Sequence, residues 1–487
     1  MSKKTVRQRS MGLNAVLSSI RTLSTIIFPL ITYPYITKTL SVNNIGKINF
    51  SQSIISYFTL IAQFGISVFA IRTGARIRDD RVAFNRFANR IFSINLISTL
   101  VSMILLMILL ILPTKLLEYR DFICILSINV VLVPISVDWI YTIYEDFGYI
   151  TLRGILIDLL SLILMLTLVK NNSDAYLYVA LITVSTSLGN IFNFFHVRKY
   201  VHLKITRHTH WQEYKNSIFM FFINSIATVI YLNSDVTLLG LMSTNRQVAL
   251  YSVATKIYSI AKQMFNAVIS TTIPRLAYIQ QKNKTEFVIL LKRILNIMTF
   301  FIVPMIAGLV LIRKNVILII SNSKYLDATQ SLSILSFALF FAVTANIIAN
   351  GLLVILNQEK YVVIGTTASA TINIMLNFAL IPLWGQNGAA LTTLLAEAVM
   401  LGISMWAARG YLKDLLDISE FLKAIVGSTI MFVITNLIIP FLSTNVILNL
   451  IEIVIIAMLV YFVSMFLIRD KILKMIINLA KEKLAKI

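Results

Sequence analysis

The chain has 487 residues, of which 58% are hydrophobic and 13% are charged, and its mean hydropathy is +0.83. Soluble domains are about 45–50% apolar and about 25% charged, so this composition excludes an ordinary soluble domain. Eight prolines and sixteen glycines exclude a low-complexity or fibrous chain. The single cysteine, Cys124, excludes an internal disulfide framework and a CxxC metal site, and we expect no cofactor.

Apolar segments recur along the whole chain, each long enough to cross a bilayer as a helix of about 20 residues. The first is too long for the core of a signal peptide, so we expect a retained helix. The sequence predicts an all-α polytopic membrane protein with about fourteen spans. Their predicted bounds are 12–38, 44–71, 87–112, 122–144, 149–169, 176–197, 217–243, 247–274, 288–312, 329–356, 361–383, 387–409, 420–441 and 446–468.

The distribution of basic residues predicts the orientation. Most of the 43 lysines and arginines fall in loops on the side of the two termini, with the largest groups at 72–90, 198–215, 275–293 and 469–486. Cytoplasmic loops carry the basic excess, so we expect both termini of this inner-membrane protein to be cytoplasmic. This topology accounts for the net charge of +22, and we expect no nucleic-acid partner.

The sequence also contains an internal repeat. A constant shift of 203 residues aligns the first three predicted spans with the seventh to ninth, and it pairs Arg72 with Arg275 and Arg90 with Arg293. An offset of six helices is even, so the halves have parallel topology. The predicted domains are two six-helix lobes, a basic cytoplasmic linker, two appended helices, and an amphipathic basic tail on the inner leaflet. Their bounds are 1–198 and 216–409 for the lobes, 199–215 for the linker, 410–468 for the helices and 469–487 for the tail.

Four of the repeated spans carry a polar stripe, meaning polar side chains that recur on one helix face. Lipid cannot satisfy such a face, so it must meet protein or water. One reading is hydrogen bonding between helices; the coincidence of four stripes favours a shared central cavity. The candidate substrate-binding residues on these stripes are Arg21, Lys256, Lys262, Asn224, Asn49, Gln52, Gln63 and Asn266.

Charged residues within the spans indicate the sign of the cavity. A charge at mid-membrane costs about 2.5–3.5 kcal/mol, so a function or a partner is expected for each. The stripes hold three cations against one carboxylate, Asp235, which predicts a cationic cavity for an anionic substrate. Asp235 is either the ion-pair partner of Lys256 or Lys262, or a coupling site. Four other carboxylates lie off the stripes, and we expect them to be structural or interfacial: Asp138, Asp158, Glu397 and Glu452.

Two segments resemble those of a known family. Residues 34–46 (PYITKTLSVNNIG) resemble the first hairpin of bacterial polysaccharide repeat-unit flippases, and residues 381–390 (IPLWGQNGAA) resemble their loop between the eleventh and twelfth helices. The resemblance covers essentially the whole chain and extends to the superfamily of multidrug exporters and lipid II flippases. It implies a MATE-like fold and alternating-access transport of an oligosaccharide on undecaprenyl pyrophosphate to the outer leaflet, for O-antigen or capsule. The implied partners are this lipid-linked substrate, membrane lipids, a polysaccharide polymerase and glycosyltransferases.

Two other functions are alternatives for a chain of this composition. A cation-coupled multidrug exporter usually has twelve spans and an acidic cavity, whereas cations dominate here. A membrane-bound polymerase should have a large outer loop, and the longest outer segment, 313–328, is short and apolar. The sequence has no Walker A motif for ATP hydrolysis, and its four histidines (His196, His202, His208 and His210) lack acidic or cysteine company for a metal. We therefore expect a transporter and not an enzyme.

Overall fold

The computed structural model describes residues 11–415 and 417–484, with the side chains of a few helical residues excepted, and all regular structure in this part is helical. Contacts divide the chain into two compact units, Met1–Leu241 and Met242–Ile487, called the first and second unit below. The helices of the first unit are α1 Met11–Thr39, α2 Val42–Gln63, α3 Ile66–Gly74, α4 Arg81–Ile111, α5 Arg120–Val131, α6 Val133–Ser136, α7 Asp138–Ile143, α8 Phe147–Leu168, α9 Ala175–His196 and α10 Trp211–Met242.

The second unit begins with the longest helix of the described chain. Its helices are α11 Asn245–Lys282, α12 Lys284–Ile320, α13 Ala328–Ile348, α14 Glu359–Trp384, α15 Gln386–Ala407, α16 Leu412–Leu415, α17 Ile418–Ile438, α18 Val446–Leu467 and α19 Lys471–Leu484. A π-helical turn, Ala349–Leu353, extends α13. The interior is apolar, with Leu332, Leu335 and Leu339 of α13 fully buried.

Each of the fourteen predicted spans coincides with a helix or with consecutive helices. Eleven helices of the described chain are long and apolar enough to cross a membrane, or twelve if the pair Lys115–Val131 and Val133–Ile143, bent by 46°, is one span. Helices α1 and α11 are not among the eleven. They carry two of the polar stripes. The prediction of an all-helical, multi-pass membrane protein is confirmed.

A glycine interrupts the second predicted span and allows α10 to pack closely against the break. Gly65 separates α2 from α3 with φ +69°, and a Cβ there would lie 2.5 Å from the backbone nitrogen of Phe222. The rings of Phe64 and Phe222 are 4.5 Å apart. The boundary between the compact units lies at the C-terminal end of α10. The domain bounds predicted from the repeat, with a linker at 199–215, stay a prediction.

Helix N-termini support the repeat, because the same shift that aligns the basic residues also aligns their caps. The hydroxyls of Ser41 and Thr244 accept the N–H three residues later, at the start of α2 and of α11. The side chains of Asp80 and Asn283 each accept two N–H groups at the start of α4 and of α12. Such side chains satisfy helix donors that have no partner within the helix.

The linker between α9 and α10 runs along α4. Its N–H groups two residues apart donate to side chains one helical turn apart: His202 to Asn85 (3.2 Å), Lys204 to Asn89 (2.8 Å) and Thr206 to Ser93 (2.8 Å). Two residues of extended chain advance about 6.6 Å, and four residues of a helix advance about 6 Å. The spacing of the linker N–H groups therefore matches the spacing of their acceptors along α4.

The predicted amphipathic tail is helical over Lys471–Leu484, and residues 485–487 lie outside the described part. Its first turn is covered by protein, because Ile472 and Leu473 are buried in a cluster with Phe300, Met431 and Tyr461. The beginning of the tail thus packs on α12, α17 and α18. The prediction that the tail lies on the inner leaflet stays a prediction.

Candidate functional site

In the first unit, Arg21 is held by a neighbouring helix. Its Nη1 donates to Asp158 Oδ2 at 2.6 Å, joining α1 to α8, and both side chains are partly exposed (30% and 23%). The guanidinium lies over Gly154, where a Cβ would stand 2.5 Å from Arg21 Cζ. Glycine at this position therefore makes room for the cation. Asp158, expected to be structural and off the stripes, is the partner of a predicted site residue.

In the second unit, Lys262 has a similar partner. Its Nζ lies 2.6 Å from Glu397 Oε1, and the Tyr258 hydroxyl donates to the same oxygen at 3.0 Å. Glu397 is 4% exposed, so its charge is almost fully withdrawn from solvent. A buried carboxylate requires a cation and hydrogen-bond donors, and Lys262 and Tyr258 supply them.

The stripe member Asn266 and a further residue of α11, Tyr251, also bond to neighbouring helices of the second unit. Tyr251 shares a hydrogen bond of 2.9 Å with Thr393 of α15, and Asn266 accepts one of 2.6 Å from Asn346 of α13. For these residues and for Lys262, the structure shows hydrogen bonding between helices, which was the alternative to an aqueous cavity.

The remaining candidates fall in different surroundings. Gln52 and Gln63 are exposed on α2, and Lys256 is half-buried on α11. Asn49 has a buried Nδ2 with no hydrogen-bond partner in the described part of the chain. The side chain of Asn224 lies outside the described residues.

Asp235, the predicted coupling candidate, is buried in the first unit at 8% exposure. Its charge acts on Tyr57 of α2. The Tyr57 hydroxyl lies 3.1 Å from that of Thr237, which in turn donates to Ser53 at 3.1 Å. Asp235 thus adjoins a chain of hydroxyls between α2 and α10.

The sequence reasoning did not identify a buried polar triad on α14 and α15. The Thr392 hydroxyl donates to Asn377 Oδ1 at 2.6 Å, and Asn377 Nδ2 donates to Asn373 Oδ1 at 3.1 Å. All three residues are at most 2% exposed. Two asparagines four residues apart on an apolar span were the signal available, since lipid cannot satisfy them. In the described chain, no group of three or more His, Cys, Asp or Glu residues could hold a metal.

Residues 34–46, the first segment with the family resemblance, connect α1 to α2, and this connection is hydrogen-bonded to the turn after α8. The Ser41 N–H donates to Asn172 Oδ1 at 2.7 Å, and Asn44 Nδ2 donates to the same oxygen at 2.9 Å. The N–H groups of Asn171 and Lys170 hold the pKa of Asp174 below its ordinary value. Residues 41–44 are thus bound to an ordered turn after α8.

The second motif forms a tight helix–helix connection. Gly385 has φ +52°, and a Cβ there would overlap the side chain of Gln247. A Cβ at Gly388 would overlap the carbonyl oxygen of Leu380. Both glycines therefore permit close approaches that a larger residue would prevent.

The whole fold is that of known membrane transporters. A structure of "Lipid II flippase MurJ, inward closed conformation" matches with a TM-score of 0.77 at 18% identity, covering 93% of this chain and 99% of that one. An inward-facing multidrug resistance MATE family transporter of the MOP superfamily matches with a TM-score of 0.61 at 12% identity, covering 82% and 98%. This chain therefore has the fold of these multi-pass membrane proteins.

The chain belongs to the polysaccharide biosynthesis protein family, whose model matches residues 12–280. A protein named as an O-antigen transporter in Escherichia coli (strain K12) is 23% identical over 409 residues, 79% of this chain and 94% of that one. A protein of Haloferax volcanii named as the low-salt glycan biosynthesis flippase Agl15 is 26% identical over 178 residues, 36% and 38% of the two chains. These relatives are transporters and flippases, in agreement with the expectation that the chain is not an enzyme.

Proposed function

We propose that this protein moves undecaprenyl-pyrophosphate-linked oligosaccharide repeat units from the cytoplasmic to the outer leaflet of a bacterial inner membrane. The observation that carries the proposal is the match to the O-antigen transporter, which extends over 94% of that relative. The same proposal places both termini in the cytoplasm, because the basic loops follow the positive-inside rule. Glycosyltransferases would supply the substrate and a polymerase would consume it.

The pyrophosphate is the part of this substrate that requires cations. Arg21 and Lys262 each have a carboxylate partner at 2.6 Å, and each retains solvent exposure (30% and 25%). A phosphate oxygen can therefore approach the same donors and compete with the carboxylate. Hydrogen bonds to phosphate from an ionised donor are about twice as strong as neutral ones. In this mechanism Asp158 and Glu397 hold the two cations between substrates.

Lys256 of the second unit and the neutral polar candidates of the first are further proposed substrate contacts, each within its own unit. Lys256 lies on the same helix as Lys262, and Gln52 and Gln63 present exposed amides on α2. Asn49 has a buried amide donor that no described group accepts, so a sugar hydroxyl or phosphate oxygen would satisfy it. Amides suit sugars because they both donate and accept hydrogen bonds.

The test separates a structural ion pair from a substrate contact. Removing one partner leaves an unpaired charge, which costs up to about 3–5 kcal/mol where that charge is buried, as in Glu397, and lowers abundance whatever the function. Neutralising both removes this penalty. We expect the double variants Arg21→Gln/Asp158→Asn and Lys262→Met/Glu397→Gln to reach normal membrane abundance but to export little surface polysaccharide.

The matched control is the ion pair of Arg78 with Glu145, whose charged atoms are 3.0 Å apart near the end of α7. Its double neutral variant should keep both abundance and export. Wild-type export by both double variants of the cation sites would assign those pairs a structural role and remove them from substrate binding.

A further inference from the structure

Two carboxyl groups meet at the start of the tail helix. Glu420 is in the first turn of α17, and Asp470 immediately precedes α19. They are 5% and 2% exposed, and their side chains lie within hydrogen-bonding reach of each other. Arg469, with φ +57°, turns the chain between α18 and the tail so that Asp470 faces Glu420.

One oxygen of each carboxyl group accepts a hydrogen bond, and the second oxygen of Glu420 has no donor in the described part of the chain. Lys423 Nζ donates to Glu420 Oε1 at 2.8 Å, and the Leu473 N–H donates to Asp470 Oδ1 at 2.8 Å. Glu420 Oε2 is buried, and no described donor reaches it. An ionised carboxylate only accepts hydrogen bonds, so two ionised groups would leave this oxygen unsatisfied beside a second negative charge. A single proton between the two carboxyls satisfies the oxygen and removes the repulsion.

The other charged groups around the pair do not replace this proton. On α12, Lys292 Nζ lies 3.5 Å from Asp417, the residue that precedes α17. From the tail, the charge of Lys471 acts on Asp417 as well, while the backbone N–H of Lys474 bonds to the Asp470 carbonyl. From α18 the neighbour is Tyr461, whose hydroxyl donates to the Phe300 carbonyl.

We propose that Glu420 and Asp470 form a proton-binding site that fastens the tail helix α19 to the second unit. The apolar contacts of Ile472 and Leu473 place the tail on this surface, and the shared proton completes the attachment. Proton concentration on this side of the membrane then sets how firmly the tail is docked. The inference concerns the tail alone and does not depend on the transported substrate.

The pKa of Asp470 agrees with this geometry. Burial, together with the hydrogen bond to Glu420 and its charge, raises the pKa of Asp470 to about 6. A carboxyl whose pKa is raised by docking binds its proton more tightly in the docked state. The contribution of Asp470 to docking is therefore fully present below its ordinary pKa near 3.8 and is lost as the pH rises through about 6. Between pH 5 and pH 8 the docking equilibrium should change by about tenfold.

Hydrogen exchange of the full-length protein in lipid nanodiscs tests the proposal. After correction for intrinsic exchange, the amides of 471–478 should be about tenfold better protected at pH 5 than at pH 8. In Asp470→Asn the side-chain amide N–H donates to Glu420 at every pH, so no titratable proton is needed, and Oδ1 still caps α19. Protection should then be high and the same at both pH values. Glu420→Gln should behave alike, because its amide donates to Asp470.

Asp417→Asn is the matched control. Burial pushes the pKa of Asp417 upward, but the N–H of Glu420 and the charge of Lys292 outweigh it, so its pKa lies below the ordinary value. Asp417 is therefore ionised throughout this range, and the variant should keep the wild-type pH dependence. Two results would overturn the proposal. One is protection of these amides that is independent of pH in the wild type, and the other is protection in Asp470→Asn and Glu420→Gln that depends on pH as strongly as in the wild type.

Discussion

At the level of single residues, each cation within the long helices depends on a carboxylate and a supporting neighbour. Arg21 requires a carboxylate on α8 and a glycine that leaves space for its guanidinium, and Lys262 requires a carboxylate and a phenol. Each assembly places a partly exposed charge in a fixed position, which is the arrangement that recognition of an anionic group needs. A change in a supporting residue should therefore affect function as much as a change in the cation.

Gly154→Ala tests this dependence. The added Cβ would stand 2.5 Å from Arg21 Cζ and displace the guanidinium from Asp158. Overpacking of this kind costs about 1–3 kcal/mol, so we expect polysaccharide export to fall about tenfold or more at equal membrane abundance. Gly189→Ala is the matched control, because its Cβ would meet only Ile157 at 3.5 Å. Normal export by Gly154→Ala would show that the position of Arg21 does not matter.

The sequence identified the cations but not their partners. A polar stripe shows which face of a helix is polar, whereas the partner depends on which helices are neighbours. Asp158 is 137 residues from Arg21, and Glu397 is 135 residues from Lys262. The intramembrane carboxylates were visible in the sequence, and their cost alone required cationic partners. The pairing could not be chosen without the packing.

Element scale. The helices follow closely from the apolar segments, because a length of about 20 apolar residues is a strong signal. Their interruptions are weaker signals. The break at Gly65 and the 46° bend after Val131 depend on how neighbouring helices approach. The packing of α10 within the first unit likewise depends on contacts such as that of Phe64 with Phe222, which the repeat alone did not indicate.

The linker is predicted to be held by α4 and not to be a free connection. Asn89→Ala removes the acceptor of the Lys204 N–H, a hydrogen bond of 2.8 Å. Such a bond contributes about 0.5–1.5 kcal/mol, so the Lys204 amide should exchange about two- to tenfold faster. Val82→Ala, an exposed change on the same helix, is the control and should leave this amide unchanged. Equal exchange in Asn89→Ala and wild type would contradict the proposed attachment.

Whole-molecule scale. The net charge of +22 and the basic loops favour one orientation, and the proposed substrate carries a pyrophosphate. Together they bear on the energy source. Moving a group with about two negative charges outward gains about 2.3 kcal/mol per charge per 100 mV, or about 4–5 kcal/mol at 100 mV. The gain persists if the binding cations stay in place while access alternates. On this account Asp235 supports the fold, and a dedicated proton or sodium gradient is not required.

Flipping by the purified protein is the most direct test of the central claim. Vesicles would contain the protein, undecaprenyl-pyrophosphate oligosaccharide labelled on the sugar, and an imposed potential without a proton or sodium gradient. We predict that the sugar reaches the outer leaflet faster than in protein-free vesicles, and faster still when the interior is negative. No movement above protein-free vesicles would contradict the proposed function. Movement that ignores the potential and follows a proton or sodium gradient would contradict the proposed energy source and make Asp235 the first coupling residue to test.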